Sequence, residues 1–270
     1  MSLFNRTIKK TLSAFGYELH KSSEPHVRFR NFESLAAAYE FGLDDARAPL
    51  AENPMRAALM ARLLGTPPAE AYHIVQALAQ TRHLAGDVCE FGVAQGETSA
   101  LIASEIAADT SRRFHLFDSF QGLSRPSPKD GLKDDIYALG RMDSYFGAMS
   151  YPEKLVRLRL RSVGFPRARY DIHQGFIDDV LLCDQNLPRR VSFAYVDFDL
   201  YEPIKTTLAY LHTVTAAGAV IIVDDYDYFS TGVKMAVDEF LQELDGYTCR
   251  YDCKIPAVRF GHFAVLTRTL

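Results

Sequence analysis

Two short acidic clusters have the residue types and spacing for cation chemistry. They are Val196-Asp197-Phe198-Asp199-Leu200-Tyr201 and Ile221-Ile222-Val223-Asp224-Asp225-Tyr226. Each closes an apolar run, Val191 to Val196 or Ala219 to Val223, with the length and β-branched or aromatic character of a buried strand. Between the runs, Ile204, Leu208, Leu211 and Val214 recur at helical spacing, which predicts a helix over 202–217. Strand, helix, strand is a parallel crossover unit, and open α/β sheets bind ligands at the carboxyl ends of their strands. Asp197, Asp199, Asp224 and Asp225 are thereby brought to one edge. Four carboxylates repel one another unless a positive charge sits among them, and a divalent cation with oxygen ligands is the simplest answer. Helix capping alone is a less economical account of the doubled Asp224-Asp225 pair.

A second site must stand beside them. Asp87 to Phe91 reads as a strand that runs into Gly92-Val93-Ala94-Gln95-Gly96-Glu97-Thr98-Ser99 and then a helix over 100–108, with Thr98 or Ser99 as its cap. A nicotinamide-type GxGxxG needs glycine where Ala94 and Glu97 stand. Glu90, just before the loop, disfavours a pyrophosphate and suits a neutral or cationic ligand with hydroxyls or an ammonium group. The strand 113–117 ends at Asp118, where an acidic residue is placed to accept hydrogen bonds from both hydroxyls of a ribose, unless it only caps a turn. A third strand, 168–173, leads into Gln174-Gly175-Phe176, a turn able to flank an adenine ring, and Asp178-Asp179 fit the start of a helix.

The remaining elements frame these sites. Residues 119–151 lose periodicity but hold Tyr137, Tyr145, Phe146 and Tyr151, and read as a mobile lid over the acceptor. A basic helix over 152–163 carries Arg157, Arg159 and Arg161, which fit a solvated face better than an anion site. A helix spans 233–241, and strands over 247–254 and 260–266 suggest an antiparallel hairpin at one sheet edge. Helices before residue 84, including one over 70–82, read as a cap over the cofactor end of the sheet. Leu3, Ile8, Leu12 and Phe15 give the first of them an apolar face for the domain or a dimer mate. The organisation expected is thus 1–84 as a helical extension and 85–270 as the core.

Composition narrows the class. Thirty basic against 34 acidic side chains give a net charge of −4, with no basic excess for nucleic acid. No run approaches a membrane span and the N-terminus has no secretory apolar region, so a cytoplasmic protein is expected. Cys89, Cys183, Cys249 and Cys253 form no CxxC pair and are expected to be reduced and mostly buried.

Taken in order, Glu90-Phe91-Gly92-Val93, Gly96, Thr98-Ser99, Phe117-Asp118-Ser119-Phe120, Gly122-Leu123, Asp197-Phe198-Asp199-Leu200-Tyr201 and Val223-Asp224-Asp225-Tyr226 resemble the macrocin O-methyltransferase family over roughly residues 85–268. Its members are S-adenosylmethionine-dependent, metal-requiring enzymes that methylate sugar hydroxyls in antibiotic pathways, noviose methylation in novobiocin synthesis among them. The resemblance implies a Rossmann-like, seven-stranded, mostly parallel sheet with an antiparallel C-terminal strand. It implies metal ligation by Asp197, Asp224 and Asp225, with Mg²⁺ or Mn²⁺ as the ion, and Asp199 as the catalytic base. It implies cofactor binding by Glu90, Gly92, Val93, Gly96, Thr98, Ser99, Asp118 and Ser119, with Gly175 and Phe176 beside them. Asp199 reaches the site as a base if the strand continues through it; if the chain turns after Asp197, a helix cap or supporting role is open. Ala94 departs from the glycine many methyltransferases carry there.

The function expected is O-methylation of a vicinal hydroxyl of a sugar or polyol, with a small glycoside as partner. A catechol-like diol is the alternative within the class, although a lysine base near the first ligand is missing: the nearest is Lys205. A non-catalytic cofactor-binding protein is the alternative outside it.

Overall fold

The computed structural model describes residues 50–244, 251–256 and 261–269. The apolar face at Leu3 to Phe15 and Cys249 lie outside them. Seven strands form one sheet: β1 (Asp87–Phe91), β2 (Phe114–Asp118), β3 (Tyr170–Gln174), β4 (Val191–Val196), β5 (Thr215–Val223), β6 (Tyr251–Lys254) and β7 (Ala264–Arg268). The helices are α1 (Arg56–Met60), α2 (Pro68–Thr81), α3 (Glu97–Glu105), α4 (Glu153–Ser162), α5 (Ile177–Cys183), α6 (Tyr201–Val214) and α7 (Thr231–Glu243). The strand order is β3-β2-β1-β4-β5-β7-β6. β1 to β5 pair in parallel, while β7 lies antiparallel between β5 and β6. The C-terminal strands are therefore a hairpin, as expected, with its second strand placed inward.

A parallel sheet covered on both faces needs strands that are apolar on both sides. All six residues of β4 are buried. Val88, Phe114, Leu116, Phe193, Tyr195, Val220 and Ile222 face a core built with α2, α3 and α4. Cys89, Phe91, Phe117, Ala194, Val196, Ile221 and Val223 face another built with α5, α6 and α7. The period-2 alternation of each strand decides which core a residue joins. Ile204, Leu208 and Leu211, the predicted face of α6, are wholly buried; each such side chain is worth about 1.5–3 kcal/mol of burial.

Several boundaries differ from expectation. α6 stops at Val214 rather than 217, because Thr215 takes extended dihedrals, its hydroxyl donates to the Leu211 carbonyl (2.7 Å), and β5 begins there. β3 starts at Tyr170, after a 3-10 turn over Arg167–Arg169. α3 begins at Glu97, with Gly96 at the cap position in a left-handed conformation (φ +82°), so Thr98 and Ser99 lie inside the helix and cap nothing. α2 lies along β4, β5 and α3 with ten of its residues buried. It covers a face of the sheet, while Leu64 and Gly65 just before it reach the cofactor end.

The 119–151 segment is packed rather than free of contacts. Leu123, Met142 and Tyr145 form a small core with Leu200 and Phe229. Arg157 and Arg159 pair with Glu153 and Glu97. Cys89 is buried, Cys253 half-buried and Cys183 exposed; all three are free thiols, and only the first is as buried as expected. Among the described residues no helix is long and apolar enough to cross a membrane.

One consequence concerns pH. His73 of α2 packs edge-on against Phe263 (5.1 Å between centroids), and burial lowers its pKa to about 4. A histidine depressed in the folded state costs stability once the unfolded chain takes up the proton. That contribution is complete above pH about 6.5 and is lost as pH falls toward 4, up to about 3 kcal/mol. Thermal unfolding of His73→Phe should therefore depend less on pH between 6.5 and 4 than wild type. Parallel curves would show that His73 does not titrate on unfolding.

Candidate active site

The strand order reverses between β1 and β4, and a crevice opens beyond their carboxyl ends, as open sheets dictate. A cavity of about 410 Å³ occupies it. Gly92 follows β1 and Asp197 follows β4. The two chains run so close that a Cβ on Gly92 would lie 1.8 Å from the Asp197 carbonyl oxygen. Gly92 is also left-handed (φ +83°), so both space and dihedral demand glycine. Gly96 is left-handed as well (φ +82°), and a Cβ there would press on the Val156 backbone of α4 at 3.1 Å.

Asp118 holds the loop. Its Oδ2 accepts from the backbone N–H of Val93 (2.8 Å) and Ala94 (2.9 Å), and its Oδ1 from Phe120 N–H (2.6 Å). Three of a carboxylate's roughly four acceptor positions are thus filled from the protein. The expected donation from two ribose hydroxyls finds less free acceptor capacity than the sequence suggested. Ala94 takes φ +46°, which explains why glycine is the easier residue there.

Of the expected cofactor residues, Gly92, Asp118, Ser119, Gly175 and Phe176 line the cavity. Glu90, Val93, Gly96, Thr98 and Ser99 stand behind its wall. Glu90 is wholly buried and neither carboxyl oxygen makes a well-formed hydrogen bond; burial, reinforced by Asp118, pushes its carboxyl up to about 8 against the opposing effect of the nearby Ser99 hydroxyl. A cavity of this size, a glycine cradle at Gly92 and an orphaned carboxyl just behind it fit S-adenosylmethionine, a cationic ligand, better than a dinucleotide.

The aspartates converge in the same cavity, where Asp197 follows β4 beside Gly92. Asp197, Asp199 and Asp225 each present an oxygen within 4.8 Å of the others. Asp197 follows β4; Asp199 and Asp225 are left-handed at φ +62° and +55°, a conformation that costs a non-glycine residue about 1–3 kcal/mol. Burial, then Asp224 and Asp225, raises the Asp197 carboxyl well above the usual range. Burial and the Asp197 charge push Asp199 up to about 8. Burial, then Asp199, raises Asp225 as well. Among the described residues, none of the three takes part in an ion pair. Three hard oxygen donors that destabilise one another suit a divalent cation.

Asp224 differs from its expected place in this set. Its Oδ1 accepts from Asp225 N–H (2.7 Å) and its Oδ2 from the Tyr195 hydroxyl (2.6 Å). It faces Glu70 of α2, whose carboxyl is raised by burial and by Asp224. Asp199 caps nothing: the chain does turn after Asp197, yet Tyr201 N–H, at the head of α6, donates to Asp130 (2.8 Å). Glu70, Tyr195 and Asp130 carried no signal in the sequence, since each acts through a partner distant along the chain. Tyr228, Tyr137 and Phe198 also line the cavity; of these only Tyr137 belonged to an expected lid.

The sheet order and this crevice define an S-adenosylmethionine-dependent methyltransferase of Rossmann-like fold. A model of the macrocin O-methyltransferase family (TylF) matches residues 29–246, and the chain belongs to that family. It is accordingly an O-methyltransferase, as the motifs implied. No curated protein matches its sequence. Among solved structures it is similar to the O-methyltransferase NovP at 22% identity and TM-score 0.63, covering 90% of this chain and 98% of that one. It is similar to CalS11, a calicheamicin methyltransferase, at 21% and 0.57, covering 95% and 96%. A second structure of CalS11, described as a TDP-rhamnose 3′-O-methyltransferase, matches at 20% and 0.51, covering 92% and 96%. These likenesses support the fold.

Proposed function

We propose that the enzyme methylates one of two neighbouring hydroxyls on a sugar or polyol, with a divalent cation, Mg²⁺ or Mn²⁺, held at the aspartates. The observation that carries this is the convergence of Asp197, Asp199 and Asp225 within 4.8 Å in the same cavity that the glycine loop lines. CalS11, a structural neighbour, is described as acting on TDP-rhamnose, a sugar nucleotide.

S-adenosylmethionine supplies an electrophilic sulfonium methyl group. A divalent cation supplies positive charge that lowers the pKa of a bound hydroxyl, which a weakly acidic sugar alcohol needs. Gly92, Ala94, Gln95, Asp118 and Phe176, which line the cavity, would hold the donor. Asp197 and Asp225 would hold the cation. Asp224 braces that pair through Asp225 N–H and Tyr195. Asp199 stands within reach of both ligands and takes the hydroxyl proton as the oxygen–methyl bond forms and the sulfur–methyl bond breaks. Lys205 does not offer the lysine base of a catechol-type site, because its ammonium lies over the Tyr201 ring, 5.5 Å from the centroid.

The test uses S-adenosylmethionine and a panel of glycosides that differ only in whether the hydroxyl beside the acceptor is present. Methyl transfer should occur on the vicinal diols, fall at least about a hundredfold on the deoxy analogues, stop in excess chelator and return with Mg²⁺. Equal rates in chelator would overturn the cation; equal rates on the deoxy analogues would overturn the diol.

A further inference from the structure

The insertion between β2 and α4 sends one carboxylate to the head of α6, two residues beyond Asp199. Asp130 is only 6% exposed. Its Oδ1 accepts from Tyr201 N–H at 2.8 Å, and its Oδ2 from the backbone and the hydroxyl of Ser127 at 2.7 and 2.8 Å. Leu200, at the cap position of α6, has no side chain that can accept a hydrogen bond. Asp130 therefore supplies across 71 residues what a local serine or aspartate usually supplies, and its charge suits the positive end of α6.

The start of α7 closes on the same point. A Cβ on Gly232 would lie 1.9 Å from Asp130 Oδ1 and 2.8 Å from Tyr201 N, so only glycine fits. Ser230, the cap of α7, donates its hydroxyl to the Asp199 carbonyl (2.8 Å) and accepts from Gly232 N–H (3.1 Å). Gly131 N–H donates to the Thr231 hydroxyl (2.7 Å), which donates to the Lys129 carbonyl (2.8 Å). The heads of α6 and α7 and the insertion thus meet two residues from Asp199. A non-glycine residue stays left-handed only where its surroundings over-determine it.

We infer that Asp130 is a positioning residue: by capping α6 it fixes the left-handed turn at Asp199 and so aims that carboxylate at the acceptor and the cation. The insertion, which also lines the cavity through Ile136 and Tyr137, is thereby tied to the catalytic turn. This inference rests on the role proposed above for Asp199.

The test compares Asp130→Ala and Asp130→Asn in the full chain. In Asp130→Ala, kcat and the affinity for Mg²⁺, read by calorimetry with S-adenosylhomocysteine bound, should each fall by about tenfold, the scale of a lost helix cap. Affinity for S-adenosylhomocysteine should change less than about twofold, because the Asp118-held loop is separate. Asp130→Asn keeps the Oδ1 acceptor and should recover most of the loss. A purely structural role predicts instead equal losses at the Mg²⁺ and cofactor sites and no recovery by asparagine, and would overturn the inference. Should Asp130→Ala fail to fold, Ser127→Ala frees Oδ2 and should give a smaller shift in the same direction; no shift counts against the inference. Absence of Mg²⁺ binding by wild type would sink the cation, not the positioning role. A crystal structure of Asp130→Ala, or of Ser127→Ala, then decides: Asp199 leaving the left-handed region supports it, and an unchanged Asp199 turn overturns it.

Discussion

Asp225→Asn should reduce kcat/KM by at least about a thousandfold, or about 4 kcal/mol of transition-state stabilisation, while S-adenosylmethionine binds as before. Asparagine keeps the size of the side chain and the backbone N–H that Asp224 Oδ1 accepts. What it removes is one of three charges that meet within 4.8 Å. The same change should make the protein more stable without added metal. Asp225 is buried beside Asp199 and Asp224, whose charges raise its carboxyl. A group raised in the folded state costs stability at pH values above its unfolded pKa, and the neutral amide relieves that cost. Methyl transfer assays with and without Mg²⁺, paired with thermal unfolding in chelator, check both halves. Retained turnover, or a midpoint that falls in chelator, would contradict the proposed cation site.

Asp199→Asn should lower kcat by about two to four orders of magnitude, the range for loss of a general base. Asparagine tolerates the left-handed backbone of this position almost as well as aspartate, so the turn at φ +62° survives. The rate that remains should rise with pH, as hydroxide replaces the missing base, and binding of S-adenosylmethionine should be unaffected. Near-normal turnover in this variant would transfer the proton to another acceptor.

The parts of this site that the sequence disclosed are those whose signal is local. Strand, glycine loop and helix around Gly92 follow from residues adjacent in the chain, and β4, α6 and β5 follow from apolar periodicity. Gly92 was legible because a left-handed turn at a strand end nearly requires glycine. Gly96 was legible as a glycine through its left-handed turn but not through its packing, since the backbone that its Cβ would crowd belongs to α4 about 60 residues away. Asp118 was found at its strand end, yet its use was not: nothing local says that its carboxylate turns to the amides of Val93 and Ala94. Residues with no motif went unseen. Glu70 sits in the first turn of α2, where an acidic residue is commonplace, and only the packing of α2 on β4 and β5 brings it to Asp224.

The class of fold and the acidic residues at the ends of β4 and β5 are written locally in the chain. These depend on periodicity and on residues next to one another, which short-range sterics and burial dictate. The tertiary structure decided which of four aspartates share a point in space. Asp197, Asp199 and Asp225 converge, while Asp224 is drawn toward Tyr195 and Glu70. It also decided that the turn at Asp199 is held from outside by Asp130. The physical reason is range. The Asp224 carboxylate is directed by Tyr195 of β4 and Glu70 of α2, and the backbone turn at Asp199 is held from α7 and the insertion, elements that only the folded sheet brings to the same edge.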